Sequence, residues 1–125
     1  MVRMTAWRLW RASVYSWAGL QQAWRLQWAF RLECLLTPLV LIAATWLADR
    51  GWQWGLLVAS WWLVLVVELI NSAIETTVDR ISADLHPLSK QAKDLGSAAV
   101  FVTCMMVMIL WVSLLWENKF QSLIG

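Results

Sequence analysis

Four polar side chains on one helical face constrain this chain more than anything else in it. The apolar run 55–67 continues into ELINSAIETTVDRI (68–81). At 100° per residue Glu68, Asn71, Glu75 and Asp79 share a stripe roughly 80° wide, while Leu69, Ile70, Ile74 and Val78 point elsewhere. A charged stretch ending at Asp94 follows, and then a second apolar run, 97–116. Ionisable groups set this close to membrane-spanning runs are expensive, so they are functional candidates by default. Buried carboxylates can also be structural, paired with Arg or capped by neighbouring helices. Asp79, Arg80 and Asp84 alone would suit a solvated helix end. Glu68 and Glu75 have no basic residue within a turn, which favours function over structure at these two.

The rest of the composition agrees with a membrane setting. Hydrophobic residues make up 61% of the 125 and charged ones 14%, with a mean hydropathy of +0.59, outside the range of soluble domains. The expected fold class is an all-α membrane protein. It forms a single domain, 1–125, with an N-terminal interfacial amphipathic helix (1–29) and three transmembrane helices, at about 30–48, 52–78 and 97–116. The first span is the weakest, because Arg31 and Glu33 open it and Pro38 interrupts it. Three spans make a thin bundle around a polar stripe, which suggests that oligomerisation buries it. No apolar core with a small-residue cleavage site opens the chain, so no secretory signal is expected. A net charge of +2 is too small to argue for nucleic acid.

Charge placement predicts orientation. Arg3, Arg8, Arg11, Arg25 and Arg31 precede the first span, and Arg80, Lys90 and Lys93 follow the second. Only Arg50 lies between the first two spans and only Lys119 follows the third. The positive-inside rule therefore puts the N-terminus and the 80–93 loop in the cytoplasm and the C-terminus outside, with the polar stripe opening inward. Cys34 and Cys104 lie in apolar surroundings with no CxxC or Cys/His cluster, and read as free thiols used as small hydrophobes.

Over 5–29, Trp10, Trp17, Trp24 and Trp28 cluster within roughly 40° of a helical wheel, with Arg8, Arg11 and Arg25 to one side. That pattern suits a helix lying in the membrane interface, indoles at headgroup level and guanidiniums at phosphates. Trp46, Trp52, Trp54, Trp111 and Trp116 read as belt anchors on the outer side, whereas Trp61 and Trp62 fall deeper and have no evident job. The segment 52–80 would extend roughly 43 Å as a helix, beyond the ~30 Å hydrocarbon core, so its last turns reach the cytoplasm or tilt strongly. Glu68 then lies near the inner boundary. His86-Pro87 breaks the helix, and Ser97, Ala98 and Ala99 are small enough to let another helix approach closely.

Two carboxylates, an amide and a Lys-Asp pair at an inner membrane face are parts for phosphoryl transfer. Glu68 is placed to take a proton from an alcohol, Glu75 to hold a hard divalent cation through oxygen, and Lys93 to counter phosphate charge. No GxxxxGK[ST] and no protein-kinase signature set occurs, which excludes the familiar nucleotide-binding folds.

ELINSAIETTVDRI, followed by HPLSKQAKDLGSAAV, closely resembles the signature region of the bacterial integral-membrane diacylglycerol kinase family, to which undecaprenol kinases also belong. YSWAGLQQAW and AFRLE match it too, and the resemblance covers nearly the whole chain. It implies a homotrimer in the bacterial inner membrane, with active sites shared between neighbouring protomers. It also implies MgATP-dependent phosphorylation of a lipid alcohol, diacylglycerol giving phosphatidic acid, at the cytoplasmic face. Carried over, Glu68 is the general base and Glu75 a metal ligand, with Asn71 orienting one or the other. Lys93 and Asp94 match positions near the nucleotide phosphates, and Arg8, Tyr15, Asp84 and His86 positions around the nucleotide. Trp17, Trp24, Phe30, Arg31, Glu33, Glu68 and Ser97 match the lipid side. Gln27 occupies the position where the family usually carries Glu as its second metal ligand, and it offers a carbonyl oxygen without the charge. Ser82 and Lys90 stand where many diacylglycerol kinases have Gly. HPL is similar to the undecaprenol-kinase branch, GSAAV to the diacylglycerol-kinase branch. Undecaprenol therefore stays open as the acceptor, and Gln27 keeps open a non-catalytic lipid-binding member. A small proton-linked transporter would use the same carboxylates, but one inward-facing stripe offers no path through the outer half.

Overall fold

Where no water reaches the backbone, every N–H and C=O must bond within its own segment, and runs this apolar become helices. The computed structural model describes residues 2–81 and 86–120, with side chains over 7–81 and 86–119. The elements are α1 (Val2–Leu26), α2 (Trp28–Leu47), α3 (Gly51–Ile81), α4 (Pro87–Leu115) and a closing π-helical turn (Trp116–Phe120). Among the described residues, α2, α3 and the stretch Pro87–Lys119 are long and apolar enough to cross a membrane, and α1 is not among them. The α3–α4 interface is the most extensive, followed by α2–α3, while α1 meets chiefly α2.

Boundaries differ from the sequence expectation in ways that matter. α1 ends at Leu26, because Gln27 turns extended (φ −103°, ψ 110°) and begins α2 without a side-chain cap. Trp28 therefore belongs to α2 and leaves the Trp stripe expected on the first helix. α4 begins at Pro87, well before 97. Its ring needs no N–H in a first turn, and His86 precedes it as N-cap, its Nδ1 accepting from Leu88 N–H at 3.2 Å. The expected break at 86–87 is thus also a helix start. Asp84 and Ser82 lie outside the described residues.

Pro38 sits inside α2 without ending it. Proline removes one ladder donor, and beside it Thr37 Oγ1 donates to Glu33 O at 2.9 Å and accepts from Trp61 Nε1 at 3.0 Å. Trp61 is thereby explained: its indole N–H, costly to leave bare in lipid, ties α3 to α2. Trp111 does the same between α4 and α3, donating to Ser60 Oγ at 3.2 Å, so it is an inter-helix tie rather than a belt anchor. Trp46, Trp52 and Trp116 remain well exposed, as a belt requires.

Two apolar clusters hold the bundle at its ends. Ala44, Leu47, Leu57 and Leu114 join α2, α3 and α4 near the 48–50 turn, with Leu110 and Trp111 against them. Ala23, Phe30 and Leu65 join α1, α2 and α3 near the other end, with Cys34, Trp61 and Leu69 alongside. A polar clasp closes the first end. Gln53, 3% exposed, pairs reciprocally with Asn118: Gln53 Nε2 donates to Asn118 Oδ1 at 3.1 Å, and Asn118 Nδ2 donates to Gln53 Oε1 at 2.9 Å. Gln53 Oε1 also accepts from the backbone N–H of Asp49 and Arg50, and Asn118 Nδ2 donates to Leu47 O. One buried amide pair thus satisfies the turn between α2 and α3 and pins the π-helical turn to both.

Candidate functional site

At the opposite end the polar stripe of α3 turns toward α4, and the single chain already buries half of it. Glu68 is 6% and Asn71 7% exposed, Glu75 is half-buried and Asp79 exposed. The contact is close at one point: Gly96 of α4 lies against the Asn71 side chain, and a Cβ there would overlap Asn71 Oδ1. Ser97, Ala98 and Ala99, expected to make the close approach, are exposed instead. Asn71 Nδ2 donates to Glu75 Oε1 at 3.2 Å, while its Oδ1 is buried without a hydrogen-bond partner. Asn71 therefore orients Glu75, one of the two carboxylates between which it stands in sequence.

Glu33, half-buried on α2, is a third carboxylate on a helix packed against α3. Cys104 of α4 is a free, exposed thiol. Glu33 Oε2 is buried and has no hydrogen-bond partner. Glu68 and Glu75 lie about two helical turns apart on α3, the second nearer the charged end of the bundle. At that end Lys93 of α4 pairs with Asp79 of α3 across the helix interface, and Lys90 pairs with Asp94 one turn along α4. Both pairs are exposed and add little stability.

A cavity of about 800 Å³ opens among α1, α2 and α3, and Glu68, expected on the lipid side, is not among its lining residues. Trp17, Trp24 and Phe30, all expected on the lipid side, line it together with Leu20, Trp62 and Leu65. Cys34, Thr37, Gln21 and Arg25 contribute its few polar atoms. An apolar, Trp-walled chamber with a guanidinium among its lining residues suits an amphiphile. Trp62 thereby finds its place as cavity wall, which no sequence period marks. Arg31 and Glu33 are half-buried on α2, and Ser97 is exposed on α4; none of the three lines this cavity. Arg8 and Tyr15 are exposed on α1, and His86 is held as a helix cap.

Gln27 does not reach Glu75's face of α3. It lines a second cavity, about 670 Å³, with Leu69, Ser72, Ala73, Thr76 and Thr77. Glu75 points about 130° round the helix from the centre of that face. Ser72, 7% exposed with its Oγ unbonded, is a buried polar group that sequence reading passed over. Among the described residues no three His, Cys, Asp or Glu side chains gather into a metal cage. The donor chemistry nonetheless fits Mg²⁺ at Glu75, because that ion keeps most of its waters and takes only one or two carboxylates plus phosphate oxygens.

Residues 14–115 match the family model described as prokaryotic diacylglycerol kinase. The chain is 44% identical over 111 residues to a diacylglycerol kinase of Escherichia coli (strain K12), covering 89% of this chain and 91% of that one. It is 47% identical over 110 residues to one of Pseudomonas aeruginosa, covering 86% and 88%. It is 41% identical over 104 residues to one of Helicobacter pylori (strain 26695), covering 83% and 81%. With three helices long and apolar enough to cross a membrane, a half-buried polar stripe and a match along most of its length, the chain belongs to the prokaryotic diacylglycerol kinase family.

Proposed function

We infer that this protein is an ATP-dependent diacylglycerol kinase of the membrane, transferring the γ-phosphate of ATP to the free hydroxyl of diacylglycerol to give phosphatidic acid. Family membership supports the activity. The observation that carries the mechanism is the burial of Glu68 and Asn71 on α3, with Asn71 Nδ2 donating to the half-buried Glu75. Acyl chains lie in the Trp-walled cavity, with the hydroxyl toward Glu68. Glu68 takes the hydroxyl proton as the oxygen attacks the γ-phosphorus, and the bond to the β-phosphate oxygen breaks to release ADP. Glu75, held by Asn71, and a carbonyl oxygen from Gln27 are the proposed ligands of Mg²⁺. When bound, the ion neutralises the triphosphate oxygens. Lys93 leaves Asp79 to meet phosphate charge, and Asp94, Arg8, Tyr15, Asp84 and His86 surround the nucleotide. Arg31, Glu33 and Ser97 complete the lipid side.

The assembly is a homotrimer with shared sites. Two features support it: Gln27 and Glu75 face different sides of α3 within one chain, and the small residues Ser97, Ala98 and Ala99 stand exposed on a membrane helix. The location is the bacterial inner membrane, with the N-terminus and the site cytoplasmic, supported by the Arg and Lys asymmetry. In a Cys34→Ser/Cys104→Ser background, a Glu117→Cys variant should react with an impermeant thiol reagent added outside. Reaction only after permeabilisation would invert the topology.

The activity itself is tested by ATP-dependent phosphate incorporation in mixed micelles, with diacylglycerol and undecaprenol side by side. Diacylglycerol is expected to be the faster acceptor. Incorporation into undecaprenol alone would reassign the acceptor. Incorporation into neither, by an assembled protein, would leave a lipid-binding scaffold.

A further inference from the structure

One contact in the site sets a side chain, Asn71, against a helix backbone with no room for a Cβ. Gly96 is buried on α4, and the hydrogen it carries in place of a Cβ points at Asn71 Oδ1, the nearest atom a side chain there would meet. The next neighbours are Asn71 Cγ at 3.4 Å and Ile74 Cδ1 at 3.8 Å. Asn71 Oδ1 accepts no conventional hydrogen bond. Its other amide atom, Nδ2, donates to Glu75 Oε1. The amide is therefore held from one side by a backbone that only glycine permits, and it holds a carboxylate on the other. A Cα–H···O contact is weak by itself, but it lets the amide lie flat against α4 with its N–H₂ turned to Glu75. A methyl group at this point would push the amide off α4 and carry Glu75 with it.

We propose that Gly96 is a positioning residue of the kinase site: by admitting Asn71 Oδ1 against the α4 backbone, it sets the Asn71 amide that aims Glu75 at its cation. This rests on Asn71 and Glu75 serving phosphoryl transfer, as inferred above. The other described glycines supply the contrast, since Gly19, Gly51 and Gly55 have nothing within 4 Å of the Cβ they would gain. Gly55, on α3, is the control. Alanine there should leave activity unchanged and slightly stabilise the helix.

The test has two readouts. In the first, Mg²⁺ is titrated at saturating ATP for wild type, Gly96→Ala and Gly55→Ala. Gly96→Ala should lower kcat about 100-fold, the cost of an ångström-scale misplacement, and should raise the Mg²⁺ needed for half-maximal rate. Gly55→Ala should do neither. The second readout needs no activity: thermal stability in micelles for Gly96→Ala, Asn71→Ala and the double variant. Asn71→Ala removes the atom the methyl would strike, so Gly96→Ala should lower Tm in the wild-type background and leave or raise it in the Asn71→Ala background. Equal Tm losses in both backgrounds would show that something other than Asn71 crowds Gly96, and would overturn the proposal. Coupled Tm values with an unchanged Mg²⁺ requirement would overturn the positioning role alone. If the wild type phosphorylates no lipid while the Tm coupling holds, the kinase reading fails and the contact stands.

Discussion

Replacing Glu68 by Gln is expected to lower kcat about a thousandfold, the middle of the range for a lost general base. The KM for ATP and the assembly state should stay near those of the wild type. Gln conserves the shape and the hydrogen-bonding oxygen of a side chain that is 6% exposed, so the bundle has no reason to collapse. Only the ability to take a proton is gone. The substitution also replaces a buried ionisable group with a neutral amide. Thermal stability should therefore hold or rise, since a neutral side chain is cheaper to bury at this depth than an ionisable one. A loss of kcat together with a higher Tm is the pattern of a residue kept for chemistry at some cost to the fold. Retention of most activity by a fully assembled Glu68→Gln protein would remove Glu68 from the mechanism.

Two substitutions at the proposed cation should move the Mg²⁺ requirement in opposite directions. Glu75→Gln takes away the anionic oxygen that Asn71 orients, and should raise the Mg²⁺ concentration at half-maximal rate by about tenfold or more, with kcat partly restored by excess Mg²⁺. Gln27→Glu should lower that concentration and turn over at least as fast, because two carboxylates hold a hard cation more tightly than a carboxylate and an amide. Within one chain Gln27 faces the Ser72 and Thr76 side of α3, away from Glu75. A lowered requirement would therefore also report that neighbouring chains complete the site. An unchanged or raised requirement for Gln27→Glu would take position 27 away from the metal, the added charge then acting only to repel the nucleotide.

How much of this was legible in the chain depends on whether the signal was periodic. The stripe Glu68–Asn71–Glu75–Asp79 recurs at helical spacing, and the structure turns it to α4 as one face. The three spans were equally legible, because sustained hydropathy has one stable outcome in lipid. The break at Gln27 was not: no Pro or Gly marks it, and its side chain makes no capping bond, so a wheel drawn through 5–29 carried Trp28 along. The break at His86-Pro87 and the entry to the third span over 88–96 were legible, and the structure makes that entry the first turns of α4, the ring of Pro87 being suited to a first turn. Gly96 was passed over in favour of Ser97, Ala98 and Ala99. All four are small, and only the rotation of α4 decides which one meets α3. The job of Trp61 depends on Thr37, distant in sequence, and such a pairing has no local trace.

The clasp at the far end has a consequence for the medium it faces. Its members, Gln53, Asn118 and the backbone groups of Leu47, Asp49 and Arg50, contain no titratable proton. The nearby ionic contact, Lys119 Nζ to Asp49 at 3.4 Å, is only partly shielded and contributes little. An envelope enzyme whose far surface meets acid or salt would lose a fastening built from charges. Two interlocked amides titrate nowhere in that range, so this end of the bundle keeps its fastening whatever the pH or salt on its side of the membrane.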